Sequence, residues 1–143
     1  MKYIGLAFCF LIVFLGCSEK YDHVSEDQFV GIWELEGRKV FDGIQVEITK
    51  ENNKFKGKIT KLNNNKYVNL FAEVSDVWVS EIDRSSRYQF RLTEKKIGRE
   101  LFSLYGLSSS TEFSVEFIDK NTIGLSGGGA DPTESTVVYK RIK

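Results

Sequence analysis

The chain has 143 residues, enough for one domain and hardly two. Basic and acidic residues number 20 each, and Lys2 is the only charged residue among the first 16, so the remainder carries 19 basic and 20 acidic side chains; that balance excludes the concentrated basic surface that nucleic acid requires. Both cysteines, Cys9 and Cys17, and the one histidine, His23, lie near the start, so the rest of the chain has no disulfide, no thiolate metal site, no Cys nucleophile and no His base.

Met1 and Lys2 make a short positive start, and residues 4–15 are an uncharged apolar run of 12. A membrane-spanning helix needs about 20 such residues, so the run fits the core of a signal peptide. It ends in Phe14-Leu15-Gly16-Cys17 and turns abruptly polar. That run resembles the lipobox of bacterial lipoproteins, in which small residues precede a cysteine; Phe14 stands where Leu is more usual, and Leu15 is large. The resemblance implies a signal peptide over residues 1–16, cleavage after Gly16, a diacylglyceryl thioether on Cys17 and acylation of the new amine. It also implies an anchor in the cell envelope, since two or more chains hold stably. Ser18 follows the cysteine where enterobacterial inner-membrane retention uses Asp, which favours the outer membrane. Residues 17–28 are polar and read as a tether, with His23 a solvated member of it.

A domain is expected over residues 29–143, rich in aromatics and almost free of proline. A first strand is predicted over residues 30–41, with a hairpin signal at Asp42-Gly43. Ile44, Val46 and Ile48 then alternate with polar residues, Asn52-Asn53 marks a turn, and Phe55 and Ile59 alternate with Lys54, Lys56 and Lys58. Asn63 to Asn65 breaks that strand. Residues 67–71 suit a short strand and 74–82 a longer one, and Tyr88, Phe90 and Leu92 alternate through the next. Residues 100–107 fit a strand or one helical turn equally well. Phe113, Val115 and Phe117 alternate cleanly, residues 122–126 form another strand, 127–132 a flexible loop, and 136–142 the last strand. Nine or ten short candidate strands with regular turns and no long helix predict an all-β fold, a small antiparallel up-and-down barrel of about eight to ten strands.

Gly31-Ile32-Trp33 opens the first strand, and Arg141 stands near the end of the last. Together they resemble the Gly-x-Trp motif of lipocalins and their bacterial relatives, whose terminal arginine packs over that Trp; the family's second motif, with a Thr-Asp pair, has no counterpart here. The resemblance implies a lipocalin-like barrel in which Gly31, Trp33 and Arg141 are structural. A guanidinium over an indole contributes roughly 0.5–2 kcal/mol. Such a barrel is just wide enough for one small ligand, so a monomeric carrier of a small apolar or amphipathic molecule is expected, with no cofactor or metal, its ligand-binding residues left open. The alternative is an envelope interaction or inhibitor module with a filled barrel that acts through its loops. An enzyme is not expected, because no spacing singles out a carboxylate pair. Lys54, Lys56 and Lys58 read as a solvated face, Gly127 to Gly129 as a loop without the lysine or helix of a phosphate site, and Ser108 to Ser110 as a turn.

Overall fold

The computed structural model describes residues 24–143. Eight strands follow one another around a closed, wholly antiparallel up-and-down barrel: β1 (Gly31–Glu36), β2 (Gln45–Glu51), β3 (Lys54–Lys61), β4 (Val77–Arg84), β5 (Gln89–Lys95), β6 (Ser110–Asp119), β7 (Thr122–Ser126) and β8 (Val138–Arg141). Closure comes from β1 pairing with β8, with Trp33 opposite Arg141 and Leu35 opposite Tyr139. No sheet edge is left open, which removes the usual hazard of edge-to-edge association.

The two ends of the barrel differ. At one end the turns are short, residues 52–53, 85–88 and 120–121, and both chain termini of the described unit lie there. Asn52 and Asn53 adopt φ of 51° and 61°, the left-handed pair that a two-residue hairpin needs and that Asn tolerates better than most side chains. A 3-10 turn, Glu26–Phe29, plugs this end. Phe29 is fully buried and meets Phe90 and Phe117 at 4.8 Å and Phe55 at 5.8 Å between ring centroids. Val24 is buried as well, so the boundary expected at residue 29 falls inside packed structure and the barrel takes in part of the expected tether.

At the other end the connections are long: residues 37–44, 62–76, 96–109 and 127–137. Two short helices sit on them, α1 (Lys66–Phe71) and α2 (Arg99–Leu104). Residues 67–71, expected as a strand, are helical. The run of asparagines explains this: the Asn65 side chain accepts from the backbone N–H of Tyr67 at 2.9 Å and Val68 at 3.3 Å, an N-cap that satisfies two of the helix's free donors. Asn63 Nδ2 donates to the carbonyls of Val40 at 2.7 Å and Asp42 at 2.9 Å, which ties this connection to the β1–β2 loop. Residues 100–107, left open between strand and helix, hold α2. The first strand stops at Glu36, and the Asp42-Gly43 signal belongs to a longer connection containing the 3-10 turn Lys39–Phe41 rather than to a two-residue hairpin.

Candidate functional site

Trp33 and Arg141 meet at the closed end. The Arg141 guanidinium lies 4.1 Å from the Trp33 ring centroid. It donates to the carbonyls of Gln28, Val30 (2.9 Å) and Lys120 (3.3 Å), and so ties the plug and the β6–β7 turn to the last strand. Trp33 is fully buried and its Nε1 donates to the Phe29 carbonyl at 2.8 Å. Gly31, at φ 145°, leaves room for this arrangement: a Cβ there would stand 2.6 Å from both Arg141 Nη1 and the Lys143 carbonyl oxygen. Cys17, Gly16 and His23 lie outside the described residues.

The barrel interior is filled by side chains from the plug upward, and its chemistry changes at the open end. There Glu94, on β5, is the one charged side chain among the buried residues described. A chain of hydrogen bonds satisfies it: Trp78 Nε1 donates to Tyr139 Oη at 2.8 Å, the Tyr139 hydroxyl donates to Glu94 Oε1, and Arg38 Nη1 donates to Glu94 Oε2. The four residues come from β4, β8, β5 and the β1–β2 connection. Gly37, at φ 88°, brings Arg38 inward: a Cβ there would strike the Thr136 carbonyl at 2.1 Å, so only glycine lets the loop pass the β7–β8 connection this closely. The Arg38 backbone N–H is held by Asp42 Oδ1 at 2.6 Å, and the guanidinium lies between the rings of Phe41 (4.9 Å) and Phe113 (5.1 Å). Burial, and after it the charge of Glu94 and the bond to it, hold the Tyr139 phenol well above its ordinary value, against smaller opposing effects of Trp78 and Arg38. Tyr139 therefore stays neutral and serves as a donor to the carboxylate.

Above this floor a cavity of about 260 Å³ opens at the mouth of the barrel, with Phe41, Trp78, Ile97 and Phe102 as its apolar walls. Pockets for small ligands run from roughly 300 to 1,000 Å³; this one lies just under that range and has room only for a small ligand. Around it the open-end loops expose Leu70, Leu104 and Tyr105, each more than 70% accessible.

No family model, curated protein or solved structure matches the chain.

The other residues singled out in the sequence do not join the site. Lys54, Lys56 and Lys58 are exposed on β3, opposite Glu51, Thr49 and Glu47 of β2 respectively, so Lys54 and Lys58 each face a carboxylate across the strands and Lys56 faces a threonine. Gly127, Gly128 and Gly129 are exposed and lead only into the 3-10 turn Pro132–Glu134. Ser108 Oγ donates to the Ser110 carbonyl at 2.9 Å, a local turn bond. Arg38, Trp78, Glu94 and Tyr139 were not anticipated. One signal was present: in Phe90, Leu92, Glu94 the alternation puts a carboxylate on the inward face.

Proposed function

We propose that this chain is a lipocalin-like binding protein, held in the bacterial cell envelope by lipid on Cys17, that takes a small apolar or amphipathic molecule into the open-end cavity. The observation that carries the reading is the cavity itself: apolar aromatic walls over a polar floor in which both Glu94 oxygens are hydrogen-bonded, at the mouth of a barrel whose other end is plugged. Few convergent polar groups among apolar ones is the usual make-up of a ligand site. Binding rather than catalysis is favoured because both Glu94 oxygens are already engaged, which leaves no free base in the cavity floor. The Gly31, Trp33 and Arg141 arrangement supports the lipocalin resemblance, and the lipobox supports the anchor and, with Ser18, an outer-membrane location.

Residues 24–143 carry the closed barrel and a continuous hydrophobic core, so the chain from Ser18 onward keeps every described element and is expected to fold by itself. Titration of that chain with 1-decanol by calorimetry tests the proposal. Saturable binding is expected, and Thr111→Trp, which fills the cavity from β6, is expected to abolish it without lowering the unfolding midpoint. Binding that survives the filled cavity would overturn the placement. A second reading, docking of a protein through the loops, is favoured by one observation: Leu70, Leu104 and Tyr105 stand exposed around the mouth, and exposed apolar patches mark interaction surfaces. Loss of a partner on Leu104→Ser with decanol binding intact would favour that second reading.

A further inference from the structure

The cavity's charge is unbalanced. Four ionisable side chains line it: Arg38, Glu94, Lys95 and Lys96. Glu94 is cancelled by Arg38, and both its oxygens are occupied, so no carboxylate is left to receive a cation or an amine. Lys95 and Lys96 have no acidic partner among the described residues; Lys96 Nζ stands 4.9 Å over the Phe102 ring instead. Arg38 is only 21% exposed along its side chain, yet just one of its guanidinium N–H groups donates to protein. A guanidinium has five such donors in a planar fork. Arg38 lines the cavity, and because no buried side-chain polar atom among the described residues lacks a partner, its unused donors are open to solvent and free to meet a ligand.

We infer that the open-end cavity selects an anionic amphipath, one whose carboxylate-type head is received by the free donors of Arg38 and the ammonium of Lys96 while its single apolar chain lies against Trp78, Ile97 and Phe102. The inference rests on the binding function proposed above and adds the class of ligand. A planar carboxylate matches the guanidinium fork. A cavity of about 260 Å³ has no space for the two chains of a membrane lipid. Glu94 acts as a positioning residue: it pins one edge of Arg38 so that the other edge faces the cavity.

The test compares decanoate with 1-decanol, the same chain with and without the charge, on the protein from Ser18 onward. Decanoate affinity is expected to fall about fivefold to tenfold between low and physiological salt, while decanol affinity stays constant, because only the former has a charge to screen. The double variant Lys95→Gln/Lys96→Gln, at partly exposed positions, is expected to weaken decanoate about tenfold and leave decanol within twofold. Arg38→Lys keeps the ion pair with Glu94 but loses the fork, and is expected to weaken decanoate by a larger factor than decanol. Equal responses of the two probes to the variants would overturn the charge selectivity while leaving ligand binding in place. Binding of decanol but not decanoate would do the same. Binding of neither probe would overturn the binding function and this inference together.

Discussion

Replacing Trp33 and Arg141 singly and together measures how far barrel closure rests on their contact. Trp33 is fully buried, and truncating such a side chain to alanine costs about 3–5 kcal/mol. Arg141→Ala removes two kinds of interaction. The cation over the indole, 4.1 Å from the ring centroid, contributes roughly 0.5–2 kcal/mol. The donors to the carbonyls of Gln28, Val30 and Lys120 act on a partly exposed surface, where the low end of about 1.5–3 kcal/mol for a charged hydrogen bond applies. The expected loss is therefore roughly 2–4 kcal/mol. Only the first of these passes through Trp33, because the carbonyls remain when the indole is gone. The coupling in the double-mutant cycle should thus be about 0.5–2 kcal/mol, less than the full cost of Arg141→Ala. Urea unfolding at equilibrium, read as shifts of roughly 1–2 M in midpoint at unchanged slope, gives these values. Losses additive to within about 0.3 kcal/mol would show that the stacking carries no energy. Coupling equal to the entire Arg141 loss would show that the hydrogen bonds depend on the indole too. Decanol binding at the far end of the barrel should be unchanged in folded Arg141→Ala protein.

Further outcomes follow from other residues. Tyr139, raised well above the ordinary phenol value by burial and then by Glu94, stays protonated in the native barrel while the unfolded chain ionises near pH 10; its contribution is fully present below about pH 10 and is lost as pH rises toward the folded value, so stability should decline there, and Tyr139→Phe should flatten that decline in urea midpoints taken from pH 8 to 11. Gly57→Ala should cost about 1–3 kcal/mol by overpacking, because its Cβ would stand 2.8 Å from Val46 Cγ1 and Val79 Cβ; an unchanged melting temperature would refute so tight a crossing of β2, β3 and β4. The chain from Ser18 onward should be soluble and monomeric, with a β-dominated circular dichroism spectrum. For the anchor, intact-mass measurement of the processed protein should show acyl chains on Cys17, lost in Cys17→Ser; an unmodified mature Cys17 would sink the lipoprotein assignment.

Most strands were legible because one face is buried and the other is not. Val46 and Ile48, Phe90 and Leu92, and Val115 and Phe117 alternate at the period of two that a half-buried strand demands, and Gly31, Trp33 and Arg141 marked where the first and last strands meet. The open end was less legible, because its order comes from tertiary contacts. The helix at Lys66–Phe71 depends on a cap from Asn65, and its aromatic and β-branched residues read locally as strand. Arg38 carries no periodic signal: it reaches Glu94 across 56 residues of sequence, and only barrel closure makes them neighbours. Tyr139 carries no signal of its own in the last strand, since its hydroxyl acquires meaning only beside Trp78 and Glu94.

The binding of a small amphipath at the open end is tested most directly by the two indole N–H groups of the protein. The chain has only two tryptophans, Trp78 lining the cavity and Trp33 at the plugged end, each donating from Nε1 at 2.8 Å to a different acceptor. In a nitrogen–proton correlation spectrum of the chain from Ser18 onward, titration with decanoate should move the Trp78 indole signal saturably and leave that of Trp33 in place. Equal movement of both signals, or movement of Trp33 alone, would contradict a ligand site at the open end.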